Sequence, residues 1–254
     1  MVISVSVVSH NQINLIANLL NDLNKYCSES SIELILTLNL NEPIPFPIEK
    51  FFFPIKIIRN SIPLGFGANH NQAFAKATGH FFCIINPDIR LMGNPFNALL
   101  KCLHNPKIAL VAPLVSSSKG DIEDSARSFP TPLTILARLF RRNRKGSYVV
   151  NNVKIYPDWV GGMFMVLPYS TFQKVSGFNE RFFLYYEDVD LCARLRLLGY
   201  EVALCPSVKV IHDAQRSSHS NLKYLKWHLS SMLQFFCSRV YIKVLWQKFK
   251  GNFF

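Results

Sequence analysis

The chain has 254 residues, 49% of them apolar, enough for one large domain or two small ones around a full core, which excludes a mostly disordered chain. Its 28 Lys and Arg against 16 Asp and Glu leave a net charge of +12, and fourteen of the basic residues fall in two acid-free segments, 125–157 and 214–254. Removing those fourteen leaves 14 basic against 16 acidic residues, so the body is slightly acidic and two patches, not a basic protein, call for an anionic partner.

Residues 1–8 form an apolar, β-branched run with no basic leader and no small-residue cleavage site. His10, Asn11 and Gln12 end it, so it reads as a first strand. Residues 13–26 place Leu15, Leu19, Leu20 and Leu23 at helical spacing, and 32–38 is a second strand, completing a βαβ unit. A third strand is predicted over 51–58, a helix over 68–77 closed by Gly79, and a fourth strand over 81–85 that ends at Asn86-Pro87-Asp88. Strand alternating with helix predicts a mainly parallel sheet flanked by helices, and ligands of such sheets bind at the strands' carboxyl ends, where Asp88 falls.

Further on, 94–103 reads as a helix, 108–115 as a strand and 116–124 as a polar loop. Residues 159–167 read as one strand opening on Gly161 and Gly162, and 189–198 as a helix stopped by Gly199. Two short strands, 201–204 and 208–211, precede His212. The last segment, 222–249, reads as one amphipathic helix with Leu222, Leu225, Leu229, Leu233, Phe236, Val240 and Val244 in a stripe. No stretch reaches the roughly 20 apolar residues of a membrane span; the nearest, 159–173, is interrupted by Gly161, Gly162 and Pro168. The six cysteines show no zinc-knuckle or redox spacing, and most read as buried small apolar residues in a reducing compartment.

Three segments carry candidate chemistry. In Asn86-Pro87-Asp88 the proline fixes its own φ and restricts Asn86, so Asp88 is a rigid carboxylate at a sheet edge, able to hold Mg²⁺ or Mn²⁺ together with substrate oxygens; the same tripeptide is also an ordinary turn. Glu187, Asp188 and Asp190 crowd a helix start. Capping and an Asp190–Arg194 pair account for some of that charge, leaving Asp188 or Glu187, beside four aromatic residues, as a general base with a raised pKa. Residues 60–71 join a strand to a helix with Gly65 and Gly67 in the turn, but His70 stands where a dinucleotide fingerprint needs its third glycine. No metalloprotease, nucleophile-elbow or Cys-His pattern is legible, and no nucleic-acid-binding motif accompanies the basic patches.

Together these blocks resemble the family 2 glycosyltransferases of the GT-A fold, and within them bacterial rhamnosyltransferase-like enzymes of cell-surface polysaccharide and O-antigen synthesis. The resemblance covers residues 2–218. It rests on Val5 through Asn11, on 60–71 with its Leu64-Gly65-Phe66-Gly67 core, on Asn86-Pro87-Asp88, and on Trp159-Val160-Gly161-Gly162 running through Gly177-Phe178-Asn179-Glu180-Arg181-Phe182-Phe183 to Glu187-Asp188-Val189-Asp190-Leu191.

It implies an α/β GT-A fold with a nucleotide-sugar-binding half (1–115), an acceptor-binding half (116–215) and a basic amphipathic tail (216–254). It also implies substrate contacts from Ser9, Asn11, Asn39, Gly65, Phe66, Asn69, Asn86, Trp159, Gly161 and Gly162. Asp88 and His212 would hold a divalent Mg²⁺ or Mn²⁺, Asp188 would be the base of an inverting transfer, and Glu187 would orient the acceptor. The implied partners are a nucleoside-diphosphate sugar, plausibly dTDP-rhamnose, and a glycan on polyprenyl diphosphate, met at the cytoplasmic face of the bacterial inner membrane, with no nucleic acid. Three departures stand out: Leu38-Asn39 where the family usually has Asp-Asn, with Glu42 as a replacement contact, Phe178-Asn179-Glu180 for Phe-Asp-Glu, and Ser9-His10 in the first block. Leu38 supports the alternative of a degenerate scaffold that binds nucleotide or membrane. The tail composition suits either a surface helix on anionic lipid or a helix packed on the domain, and Arg138 to Lys145 would meet diphosphate or head groups.

Overall fold

The computed structural model describes residues 1–140, 153–212 and 222–251. Eight strands form one sheet in the order β3-β2-β1-β4-β9-β6-β10-β5. β1 (Ile3–Ser9), β2 (Ile32–Leu38), β3 (Ile55–Arg59) and β4 (Phe81–Ile85) run parallel; the first three end level, with Ser9 opposite Leu38 and Leu38 opposite Arg59, and β4 stops short of them, with Ile84 opposite Ser6. The sheet is mixed further on. β9 (Phe164–Pro168) lies antiparallel between β4 and β6 (Ile108–Ser117); β10 (Glu201–His212) runs parallel to β6, and the short edge strand β5 (Ile89–Leu91) pairs antiparallel with its end.

Strand alternation divides the core between the two faces. Cys83 and Ile85 of β4 point to one cluster, with Leu19 and Leu23 of α1 (Ile13–Tyr26) and Leu99 of α3 (Phe96–Cys102). Phe82 and Ile84 point to the other, with α2 (Phe66–Phe74), α5 (Tyr169–Lys174) and α6 (Glu187–Leu197). The core strands read as continuous apolar runs because both faces are covered.

Several expected boundaries shift for physical reasons. The third strand begins only after Pro54, and Phe51, Phe52 and Phe53 form an aromatic knot instead. The expected strand over 159–167 is two: β8 (Trp159–Val160) pairs with β7 (Ala126–Arg127) in a separate ribbon, and Gly161–Met163 breaks away before β9. The two short strands after 200 are one, β10, interrupted by a bulge between Cys205 and Lys209 where Pro206 has no N–H to give the ladder. Cys27, Cys83 and Cys192 are buried as free thiols, in line with the reading of most cysteines as small apolar residues, while the sulfurs of Cys102 and Cys205 meet between α3 and β10.

The tail is two helices, α7 (Leu222–Phe236) and α8 (Arg239–Phe249), because Ser238 caps the second through Oγ, which accepts from Tyr241 N at 3.0 Å. They pack on the domain through Ser231, Phe235, Tyr241 and Val244. The predicted leucine stripe of α7 faces outward: Leu222, Leu225, Leu229 and Leu233 are exposed. The remaining helix, α4 (Pro132–Phe140), leads toward the expected basic cluster, and Arg141, Arg142, Arg144 and Lys145 lie outside the described residues, as do Arg216, Ser217 and Ser218. No described helix is long and apolar enough to cross a membrane.

Candidate active site

At the carboxyl ends of the parallel strands, Asp88 follows β4 and meets His212, the last residue of β10. His212 Nε2 lies 3.1 Å from Asp88 Oδ2, and its Nδ1 lies 2.8 Å from Glu123 Oε2. Asp88 and His212, both expected around a metal ion, are neighbours joined by an ion pair, with Glu123 as a third member. Glu123 was missed because the polar loop 116–124 carries no local signal; the β-bridge between its neighbour Ile122 and Ser116 and the backbone bond from Glu123 N to Val115 O bring it back along β6. Burial works against a charged imidazole, but the hydrogen bonds and charges of Asp88 and Glu123 outweigh it and raise His212 to about 9. The imidazolium then donates from both nitrogens to the two carboxylates.

The second acid pair opens α6. Tyr185 and Tyr186, at φ 70° and 69°, both sit in the left-handed region that disfavours non-glycine residues, and they turn the chain into the helix. Asp188 Oδ1 accepts from Val189 N at 2.8 Å and its Oδ2 from Gly162 N at 3.0 Å. Glu187 is 5% exposed, and its Oε2 has no partner. Burial raises both carboxyls above their ordinary range. Glu187 is raised further by the charge of Asp188, whereas Asp188 is drawn back by its backbone hydrogen bonds and by Arg127. Of the two, Glu187 is the one that burial and its neighbour's charge together favour in the protonated form. Asp190 pairs with Arg194 at 2.7 Å, as the spacing predicts.

One loop joins the two acid centres. Asn86 N donates to Met163 O at 2.8 Å, and the neighbouring Gly162 N binds Asp188. One backbone hydrogen bond, from Asn86 N, and one from Gly162 N to the Asp188 carboxylate thus connect the turn bearing Asp88 to the helix bearing Asp188. Gly161 N is itself held by Ser125 O at 2.8 Å, and Trp159 Nε1 donates to Ser128 O at 3.0 Å, under the Arg127 guanidinium. Arg127, which the sequence offered only as one of seven basic residues, also pushes His228 down, second to the effect of burial. His228 on α7 packs its ring on Tyr185 and Tyr186, while Trp227 covers Phe183, so the tail lies over the segment that leads into α6.

The remaining expected substrate residues line the same sheet edge but differ in what they are free to do. Asn39 is fully engaged. Its Oδ1 accepts from Leu64 N at 2.8 Å and Asn60 Nδ2 at 2.9 Å, and its Nδ2 donates to Leu64 O at 2.9 Å. Asn69, 1% exposed, donates to Gly65 O and Leu64 O and accepts from Asn60, so both asparagines tie down the 60–69 loop. Ser9 Oγ accepts from Gln12 N, and Asn11, at φ 59°, donates its N–H to Glu42, which also takes Ile13 N at 3.3 Å. Glu42 is thereby occupied at the start of α1.

A Cβ on Gly65 would lie 2.6 Å from Phe183 O, and one on Gly67 would lie 2.7 Å from Phe178 Cβ. The glycines admit the chain's own 178–183 segment. Phe66 packs against His70 and beneath Gly162. His70, buried, is pushed down by desolvation to about 3 and is a neutral core residue bonded to Ser6 Oγ at 2.8 Å.

Asp88 Oδ1 is buried without a hydrogen-bond partner, beside a side chain that is 14% exposed. Among the described residues no three His, Cys, Asp or Glu side chains converge into a preformed cage. Mg²⁺ and Mn²⁺ need none, since one or two carboxylates suffice when substrate oxygens complete the shell; the orphaned Asp88 oxygen fits such an ion, and His212 would join it by giving up the Nε2 proton it shares with Asp88.

Comparison with known proteins gives this geometry a family. A rhamnosyltransferase, WbbL, of Escherichia coli K12 is 27% identical over 243 residues, covering 90% of this chain and 90% of the relative. An N-acetylglucosaminyl-diphospho-decaprenol L-rhamnosyltransferase of Mycobacterium tuberculosis is 25% identical over 208 residues, covering 73% of this chain and 67% of the relative. Among solved structures, GalNAc-T7 with UDP, GalNAc and Mn²⁺ superposes with a TM-score of 0.67 at 14% identity; the match covers 87% of this chain but only 44% of that one, and it supports the GT-A fold. The model of Glycosyl transferase family 2 matches residues 4–203, and the chain belongs to that family.

Proposed function

We propose that the protein is a metal-dependent inverting glycosyltransferase that moves rhamnose from its dTDP-activated form onto a glycan carried by polyprenyl diphosphate in cell-surface polysaccharide synthesis. One observation carries the reading: Gly161–Met163 is bonded on one side to the turn of Asp88 and on the other to Asp188. A single in-line displacement needs a base on the face opposite the leaving group, and no covalent nucleophile. Asp188, ionised while Glu187 keeps the proton, takes the hydrogen of the acceptor hydroxyl. Glu187, buried and protonated, can donate to an acceptor oxygen and orient it. Backbone hydrogen bonds from Val189 and Gly162, and after them the charge of Arg127, oppose the rise that burial imposes on Asp188. Asp88 and His212 would hold the divalent cation, which when bound neutralises charge on the departing nucleoside diphosphate.

The relatives support a lipid-linked acceptor: one acts, by its name, on a decaprenol-linked glycan. The outward leucines of α7, flanked by Lys223 and Lys226, suit a peripheral position on an anionic membrane surface.

A scaffold reading has one observation in its favour. Leu38 is fully buried in the core, so β2 presents no carboxylate where the family usually grips the nucleoside. Turnover of a panel of nucleoside-diphosphate sugars with Mn²⁺ or Mg²⁺, before and after chelation, separates the two. Metal-restored release of nucleoside diphosphate is the expected result. Protein that neither turns over nor is thermally stabilised by any nucleoside diphosphate would make it a scaffold.

A further inference from the structure

At the far end of α6, about 14 Å along its axis from Asp188 at 1.5 Å per residue, lies a second concave feature. A cleft of about 610 Å³ opens between α5, the last turn of α6 and α8. Lys174, Arg194, Arg239 and Lys243 line it, and no carboxylate does. Arg239 and Lys243 form no ion pair among the described residues. Arg194 spends Nε on Asp190 and Nη1 on Val175 O, leaving Nη2 buried without a hydrogen-bond partner. The charge of Arg194 is answered by Asp190, but Lys174, Arg239 and Lys243 face the cleft with no carboxylate among its lining residues, and like charges gathered there repel until an anion is seated between them.

The surroundings specify what kind of anion. α8 turns 100° per residue, which sends Tyr241 and Val244 to the core and Val240, Lys243 and Gln247 to the cleft. Ile242, Leu245, Trp246 and Phe249 emerge on the outer face, 59%, 41%, 60% and 88% exposed. Trp246 belongs to both surfaces, lining the cleft and standing at its outer edge. A basic cleft bordered by an exposed apolar stripe matches an amphiphile with its charge at one end. A soluble nucleotide or sugar phosphate would leave the stripe in water.

We propose that this cleft binds the phosphate headgroup of an anionic phospholipid, with the stripe of α8 resting in the interfacial region of the bilayer. The proposal deepens the peripheral position inferred above and rests on it, but it requires no turnover.

The intact protein is floated with vesicles of phosphatidylcholine alone and of phosphatidylcholine containing phosphatidylglycerol, and inorganic phosphate is added separately. The wild type should prefer the phosphatidylglycerol vesicles. At the usual contribution of a basic residue near an anionic surface, Arg239→Gln with Lys243→Gln should weaken that binding about thirtyfold. Turnover of a water-soluble acceptor should be unchanged, which separates a failed headgroup site from a failed transferase. Lys223→Gln with Lys226→Gln, outside the cleft, should cost clearly less; equal losses would reduce the site to diffuse charge and overturn it. Trp246→Ala, which keeps every charge, should also weaken binding, and full binding by this variant would contradict the amphiphile geometry. Thermal stabilisation by phosphate together with vesicle binding indifferent to phosphatidylglycerol would assign the cleft to a soluble anion and refute the proposal.

Discussion

Gly65→Ala tests why a glycine stands at the head of α2. The added Cβ would lie 2.6 Å from Phe183 O, 2.8 Å from its Cα and 3.1 Å from its carbonyl carbon. All three are backbone atoms of one residue, so no rotamer change relieves the overlap and the 183–186 segment must move. The same contact carries the 2.8 Å hydrogen bond from Phe66 N to Phe183 O. Overpacking costs about 1–3 kcal/mol and the strained hydrogen bond about 1 kcal/mol more, so roughly 2–4 kcal/mol of stability should be lost. For a chain of this size that is a fall in melting temperature of roughly 5–15 °C. Because Phe183 leads through the left-handed Tyr185 and Tyr186 into Glu187 and Asp188, turnover should fall with it. Thermal melts and sugar-transfer assays on Gly65→Ala, with Gly93→Ala as the control where a Cβ meets nothing within 4 Å, provide the comparison. A Gly65→Ala variant that melts like the wild type but binds donor poorly would show that the glycine serves the ligand and refute the packing argument.

Arg127→Gln removes the cation that draws Asp188 down, so the acidic limb of the pH profile of kcat/KM should move to higher pH; an unmoved limb would remove Arg127 from the site. Glu33 supplies a stability prediction. Burial opposes its ionisation, but hydrogen bonds from Lys56, Ser4 and Thr78 outweigh this and lower it to about 2. Its stabilisation, at most about 3 kcal/mol, is therefore complete above its ordinary 4.5 and disappears as the pH falls from there towards 2. The difference in unfolding free energy between wild type and Glu33→Gln should be constant near neutrality and shrink across that acid window. A difference that widens on acidification would contradict it.

The parallel half of the fold was legible because each of its strands is a β-branched run and each helix shows one apolar face, features that local sequence carries directly. The antiparallel insertion of β9 between β4 and β6 was not, since a strand's own pattern does not say which neighbour it pairs with or in which direction. Pro206 and the Gly161–Gly162 pair were visible as breakers, yet the first only bulges a continuing strand while the second separates two sheets. In the site, Asp88 and the Glu187–Asp188 pair stood out from their local setting, and the family resemblance gave Asp88 and His212 the metal and Asp188 the role of base. Glu123 and Arg127 did not, because their roles depend on long-range placement beside His212 and Asp188. The outward leucines of α7 show the limit of periodicity: it identifies a stripe but not whether protein or another surface covers it.

The most direct test of the division of labour between the two acids is Asp188→Asn. The amide oxygen can still accept from Gly162 N or Val189 N, so the melting temperature and nucleoside-diphosphate binding should stay near those of the wild type. Sugar transfer should fall by about 10²–10⁴, the usual contribution of a positioned general base. An Asp188→Asn protein that folds, binds donor and transfers sugar at the wild-type rate would contradict the account.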